Sequence, residues 1–361
     1  MENKRVERGR VDLSGSFLIR CDALNTTLGG LLLGSAMNLH QSWWLIFSLM
    51  SALGNFYLST WEEYHTGTLY LSYCSGPVEG ILLIVFIFIV SGRYGDAGPE
   101  IWDRRISATF PSVASLLPST IAELRLNEYF LGIGAVFLVF NIVSGGLNVF
   151  RASGARKRST VVAMLGLLPF VAFTFGIFTW LKLSPSILTT HLIPFSLLVG
   201  CLFGHQVGKM IIAHVCRRSF PYFDFPIFLI VTIGNLSAFV FRNWELTDGA
   251  NSGPVLRSAF PNELSHWLQG LLEKLFGHVE RIEDAAFMEG TIVHVLLCVA
   301  VFAYLRFALR VIHELCEIFD CHCLRIKKKV IKVHGTAKFP HGKVGREGTP
   351  GRMGEENRKL E

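Results

Sequence analysis

A few polar residues stand where hydrocarbon would not welcome them: Asp22, Asn25, Asn38, Glu62, Glu63, His65, Glu79, His205, Lys209 and His214 lie in or at the edges of apolar segments. Ionisable groups in such places are costly and by default mark functional sites. Carboxylates can hold divalent cations, and histidines can move protons. Most of the set falls toward one predicted face of a membrane. That pattern suits a cavity that takes a water-soluble molecule from one side and a lipid from the bilayer.

Each of these residues also has a plainer reading. Asp22 can be an N-terminal acid stabilised by a helix dipole, and Glu79 opens a short apolar span in the same way. Glu62, Glu63 and His65 read as solvated charges in a loop. Lys209, on one helix with His205 and His214, can snorkel to the surface. "GHQVGK" is no phosphate loop, because the spacing of the glycines and the preceding strand are both wrong. The sequon "NTT" at Asn25 should face the cytosol or the membrane, so glycosylation is not expected there. Arg217 and Arg218 read as orientation signals, with attraction to lipid or nucleotide phosphates as the sharper alternative.

The elements that must position these residues are apolar helices. The 361 residues are 51% hydrophobic and only 17% charged, with a mean hydropathy of +0.42; soluble domains carry about 25% charged residues. Segments near the ~20 residues needed to cross a bilayer run over Ala23–Leu39, Trp43–Ser59, Val78–Val90, Tyr129–Phe150, Val161–Leu181, Ile187–His214, Phe225–Phe241 and Ile292–Phe319. The predicted fold class is therefore an all-α polytopic membrane protein with about eight transmembrane helices. No apolar core of a cleavable signal peptide stands in "MENKRVERGRVDLSGSF", so the first spans are expected to anchor the chain.

The net charge of +6 comes from the ends and from short loops, which argues against a nucleic-acid partner. Arg20, Arg151, Arg156, Arg217 and Lys327 to Lys329 fall on one side if eight segments cross, and that side, with both termini, is predicted to be cytosolic. Trp43 and Trp44 suit a membrane interface. The long polar connection from Ser91 to Phe130 is expected not to cross. Leu264, Trp267, Leu268, Leu271 and Leu275 have the spacing of an amphipathic interfacial helix. Residues 324–361 form a basic tail expected to be disordered. Cys21, Cys201, Cys216 and Cys298 suit small buried side chains rather than disulfides. "CEIFDCHC" (Cys316, Cys321, His322, Cys323) matches no closed zinc pattern.

Four stretches in order, "CDALNTTL", "YHTGTLYLS" followed by Glu79, "FGHQVGKMIIAHVCRRSFPYFD" and "CEIFDCHCLRIKKK", make residues 21–323 resemble the membrane domain of the eukaryotic choline/ethanolamine phosphotransferases, in the CDP-alcohol phosphatidyltransferase superfamily. The resemblance implies transfer of phosphocholine or phosphoethanolamine from CDP-choline or CDP-ethanolamine to diacylglycerol, in phospholipid biosynthesis. It implies an integral protein of the endoplasmic reticulum or Golgi among membrane lipids, and a homodimer is a family-based expectation. Its signature, D-G-x2-A-R-x8-G-x3-D-x3-D, implies carboxylates holding two Mg²⁺ or Mn²⁺ ions, which neutralise the diphosphate.

Carried over residue by residue, the motif's closing Cys and Asp are Cys21 and Asp22, leaving Asp22 as the matched metal ligand. Leu18 stands at the position of an upstream Asp, and Ile19 at that of the His that would act as base. Residues 1–20 are a divergent polar stretch without the first half of the signature or the helices before it. Glu79, His65 and Asn25 are the candidate substrate-binding residues. One carboxylate does not hold two ions, so binding of the metals by this chain is doubtful. The expectation is a shortened form of a family enzyme, inactive or nearly so as it stands. The alternative is a non-catalytic membrane scaffold or partner of the same family. A transporter would instead want paired ionisable groups at mid-membrane depth.

Overall fold

The computed structural model describes residues 23–67, 77–94, 98–155, 159–248 and 282–319. Among them the chain is helical with no strand, and only an isolated bridge joins Arg105 to Arg125. Helix α1 covers residues 23–36, α2 Trp43–Thr66, α3 Pro77–Arg93, α4 Leu126–Ala155, α5 Thr160–Leu183, α6 Leu192–Val215, α7 Phe225–Asp248 and α8 Ile282–Phe319. Among the described residues five helices are long and apolar enough to cross a membrane: α4, α5, α6, the Phe225–Arg242 part of α7 and the Phe287–Glu314 part of α8. The long connection holds only short helical turns between Pro99 and Ala122, none long enough to cross a membrane.

Helix α6 is the central post, 83% buried over its apolar window against 6% for α4. Without a hydrophobic force between helices in lipid, close approach and hydrogen bonds must do the packing. Gly200, Gly204 and Gly208 lie four residues apart on one face of α6. A Cβ at these positions would meet Thr27 of α1 and Tyr304 and Phe307 of α8, each at 3.0 Å or less. Outward faces carry the opposite pattern: Leu82, Ile89, Val136, Phe175, Phe302 and Leu309 are exposed, as lipid contact requires.

Polar rungs join α2 to α4. Asn141 Nδ2 donates to Asn55 Oδ1 at 2.9 Å, and Asn148 Nδ2 donates to Glu62 Oε1 at 2.8 Å. Both partners advance by seven residues between rungs, so the helices run parallel in one register. Helix α5 is interrupted by a 3₁₀ turn at Leu165–Leu167, just before Pro169, which has no N–H to offer the preceding turn. Two side chains of α2 satisfy carbonyls there: Tyr57 Oη donates to Gly166 O at 2.7 Å, and Trp61 Nε1 to Ala163 O at 2.9 Å. At the opposite end Asp103 accepts hydrogen bonds from Asn38 at 2.5 Å and Asn127 at 3.1 Å, tying the first interhelical turn to the start of α4.

Several expectations are corrected. Glu62, Glu63 and His65 are not in a loop: α2 continues past Ser59 to Thr66 and ends where Gly67, at φ 78°, supplies the left-handed cap. The apolar run from Ile187 to His214 is broken at His191, between the short helix Pro185–Thr190 and α6, because Pro194 cannot donate into a continuous helix. Helix α8 begins at Ile282, ten residues before the apolar run. Of the cysteines, Cys201 is buried, but Cys216 and Cys298 are exposed. Cys216 follows the end of α6, and Cys298 lies on the little-buried α8, where an apolar side chain can face lipid instead of protein. Residues 1–22, the amphipathic stretch at 264–279, Cys321, His322, Cys323 and the basic tail lie outside the described residues.

A close helix contact gives a test of this packing. A Cβ on Gly234 of α7 would lie 2.3 Å from the ring of Trp180, which is only 1% exposed. Gly234→Ala should therefore cost about 1–3 kcal/mol through overpacking. Thermal unfolding of the purified protein in detergent should show a lowered Tm, and an unchanged Tm would contradict the close α5–α7 approach.

Candidate functional site

Helices α2, α4, α6 and α8 end, and α5 and α7 begin, at one end of the bundle, as the pairs Glu62–Asn148, Trp61–Ala163 and His205–Asp224 and the closeness of Gly290 to His191 and of Phe307 to Gly208 require. The chain builds this end by an unusual turn. Helix α6 stops with Arg217 in the left-handed region at φ 52°, a conformation that costs a residue with a Cβ roughly 1–2 kcal/mol. The Arg218 N–H then reaches back to Ala213 O at 2.8 Å, as in a Schellman cap. Tyr64 Oη donates to Arg218 O at 2.7 Å, and Tyr222 Oη donates to Val162 O at 3.0 Å. Residues 219–224 thereby cross the end of the bundle and bring Asp224 back onto α6.

Asp224 is the hub of this end. Its Oδ2 lies 2.8 Å from Nδ1 of His205, and its Oδ1 lies 3.2 Å from Nζ of Lys209. The Asp224 and His205 side chains are 8% and 9% exposed, and Lys209 is 33% exposed. Burial alone would raise the Asp224 pKa. The hydrogen bond and charge of His205, with the Lys209 ammonium, outweigh it and hold the carboxyl below the usual range. Lys209 is thus paired at the head of α7, a more specific role than snorkelling.

The other predicted residues are distributed around this end. His65 sits in an aromatic cluster, edge-on to Trp61 and Tyr64 and stacked on Phe220 at 6.0 Å between ring centroids. His214 leans on Tyr64 at 5.9 Å. Asn25 is exposed on the first turn of α1, and Glu63 is half-buried. Glu79 lies in the first turn of α3, while Asp22 and Ile19 lie outside the described residues. A groove of about 600 Å³ runs between α5 and α7, largely apolar, with Gln206, Tyr222 and Asp224 among its lining residues.

Among the described residues no group of three His, Cys, Asp or Glu side chains is placed to hold a metal ion. Glu62 is engaged by Asn148, and Asp224 by His205 and Lys209. The described residues therefore do not fit a two-metal site by themselves. Asn55, Asn141, Asn148, Gln206 and Asp224 were not singled out in the sequence. The available signals were the shared seven-residue spacing of Asn55 with Glu62 and of Asn141 with Asn148, and the position of Asp224 at the close of "RRSFPYFD".

This end of the helical bundle holds a buried Asp, His and Lys in mutual contact, and comparison with known proteins says which family the chain resembles. No family model matches the chain. It is 39% identical over 222 residues to cholinephosphotransferase 1 of Saccharomyces cerevisiae, covering 59% of this chain and 53% of the yeast protein. It is 34% identical over 216 residues to the yeast choline/ethanolaminephosphotransferase 1, covering 58% and 52%. With choline/ethanolaminephosphotransferase 1 of Arabidopsis thaliana the identity is 30% over 312 residues, 86% of this chain and 69% of the plant protein. The chain belongs to the choline/ethanolaminephosphotransferase family, and it spans about half the length of the two yeast relatives.

The Asp224 hub can be tested directly. Asp224→Asn leaves His205 and Lys209 without their countercharge and should lower stability by about 2–5 kcal/mol. Because the folded carboxyl titrates below its unfolded value, its contribution is complete above about pH 4 and is lost as the pH falls through the lowered folded value. Thermal unfolding across pH 3 to 7 should show an acid-side loss in the parent protein that is smaller in the variant. Equal slopes would remove Asp224 from that role.

Proposed function

We propose that this chain is the membrane body of an aminoalcohol phosphotransferase of phospholipid biosynthesis. The reaction moves phosphocholine or phosphoethanolamine from CDP-choline or CDP-ethanolamine to diacylglycerol: the lipid hydroxyl attacks the β-phosphorus, the bond to CMP breaks, and the hydroxyl proton leaves to a base. The similarity to the Arabidopsis protein across 312 residues, covering 86% of the chain, carries this reading. The gathering of His65, Glu62, His205 and Asp224 at one end of the bundle supports it.

The same reading comprises eight crossings with both termini cytosolic, in the endoplasmic reticulum or Golgi. Arg151, Arg217 and Arg218 belong to the end shared by α4 and α6, which favours that end as the cytosolic one. Asp22 is the one carboxylate matched to the Mg²⁺ or Mn²⁺ ligands of the family, and one carboxylate is too few to hold two ions. Because Leu18 and Ile19 occupy the positions of an Asp and a His in the resemblance, transfer by this chain alone is expected to be at background.

Membranes in which the chain is the sole phosphotransferase, supplied with labelled CDP-choline or CDP-ethanolamine, diacylglycerol and Mg²⁺ or Mn²⁺, provide the test. The chain alone should yield background phospholipid. A chimera in which residues 1–20 are replaced by a segment carrying the family signature up to the position before Cys21, with Cys21 and Asp22 kept, should yield labelled product well above background. Substantial transfer by the unmodified chain would overturn the metal-loss expectation. A well-folded but inactive chimera would overturn the transferase reading in favour of a non-catalytic partner.

A further inference from the structure

The connection between α3 and α4 has more large apolar side chains than its own interior uses. Ile101, Trp102, Ile106 and Ala122 are buried. Trp102 Nε1 donates to Ser91 Oγ at 2.8 Å, and Ser91 Oγ donates to Ala36 O at 3.0 Å, which ties the connection to the ends of α1 and α3. Phe110, Leu116 and Leu124 are exposed, and Leu116, at 85%, is more exposed than any other large apolar side chain among the described residues. Ile106 N–H donates to Leu124 O and Phe110 N–H to Ile106 O, so Phe110 and Leu124 flank one buried residue. Exposed apolar side chains gathered on one small unit mark a contact surface.

The depth of the connection indicates what this surface meets. Helix α4 carries no charge between Glu128 and Arg151, a stretch of about 33 Å at the helical rise, against a hydrocarbon core of roughly 30 Å. Glu128 therefore stands at the hydrocarbon boundary opposite the Asp224 end. The connection is bonded to the chain just outside that level: Leu126 N–H donates to Arg104 O at 3.0 Å, and Arg105 bridges to Arg125. Leu126 lies about 3 Å beyond Glu128 along the helix, within a head-group layer about 5–7 Å deep on each side. Exposed Trp44, Tyr94 and Tyr129 lie at the same end, as aromatic side chains do at a membrane interface. At this level the outward apolar surface adjoins the lipid-facing sides of α3 and α4, where Ile89 and Ile133 are exposed.

Charge does not draw it there. From residue 93 to 125 the basic side chains Arg93, Arg104, Arg105 and Arg125 are matched in number by Asp96, Glu100, Asp103 and Glu123. Arg105 pairs with Glu123, and Arg125 with Asp103.

We propose that the α3–α4 connection is an interfacial foot that inserts Leu116, with Phe110 and Leu124, into the bilayer where head groups meet acyl chains. The partner is the lipid surface itself, held by apolar contact rather than by anionic head groups. Because Asp103 of the same connection accepts hydrogen bonds from Asn38 and Asn127, the foot also holds the α1–α2 turn and the start of α4 at a fixed depth. The proposal rests on α4 crossing the bilayer and not on transfer activity.

The full chain, one copy per nanodisc of phosphatidylcholine, is prepared with dansylalanine in place of Leu116. Lipids brominated near the head of the acyl chain should quench this probe more than lipids brominated near its tip. Aqueous iodide should quench it little, and raising the salt concentration should not release it. The same probe in place of Val139, exposed at the middle of α4, should be quenched most by bromine near the chain tip, which tests the crossing of α4 separately. Phe110→Ser together with Leu124→Ser should raise the water-exposed fraction of the Leu116 probe about tenfold, the effect of losing one large apolar contact. Iodide quenching of the Leu116 probe equal to that of free dansylalanine would place the surface in water. Protection from iodide without quenching by brominated lipid would mean that protein covers it. Either result overturns the proposal, and the parent measurement stands even if the double variant fails to fold.

Discussion

A helix that carries His205, Gln206 and Lys209 through the middle of an apolar bundle needs a countercharge inside the protein, because lipid supplies none. Asp224 is that countercharge, and much of the architecture of this end follows from bringing it there. Helix α6 must stop at a left-handed Arg217, the chain must fold back across the bundle, and α7 must begin where its preceding carboxylate meets Nδ1 of His205 at 2.8 Å. The groove between α5 and α7 opens beside the same carboxylate. A charge-pairing requirement thus sets both the rigidity of the site end and the location of the cavity.

The remaining polar groups are handled by the same rule. Glu62 enters the bundle on α2 and finds Asn148 on α4, while Asn55 finds Asn141 one heptad away. The 3₁₀ turn in α5 leaves carbonyls that Tyr57 and Trp61 take up. Each of these bonds lies between helices, so each also sets helix register. The glycine stripe of α6 supplies the complementary half of the packing by letting α1 and α8 approach closely. Specific bonds in a weakly discriminating apolar medium therefore define a single arrangement of helices that hydrophobicity alone would leave free to slide.

Family membership and this arrangement support each other unevenly. The similarity to choline/ethanolaminephosphotransferases covers most of the chain in the plant comparison. The described residues contribute an ordered, charge-paired end and a largely apolar groove, but not a metal cluster. The carboxylate that the resemblance assigns to the metals, Asp22, lies outside the described residues, as does Ile19. The clearest built features among the described residues are consequently the triad at Asp224, the aromatic cluster around His65 and the groove.

The sequence by itself determined the helical membrane class, the approximate position of every long helix among the described residues, and the family, because long apolar runs and ordered landmark stretches are local properties of the chain. It was less informative about boundaries. Glu62, Glu63 and His65 read as loop residues since charge there suggested solvent, whereas the last turn of α2 hides Glu62 against Asn148 and Gly145. Only the tertiary structure decided that Lys209 is an ion-pair partner, that α6 is the central post, and that Asp224 and Gln206 meet at a groove. The physical reason is that these facts concern partners far along the chain. Asp224 lies 19 residues from His205, and Glu62 lies 86 from Asn148; no spacing within one helix encodes which polar group another helix will bring to meet it.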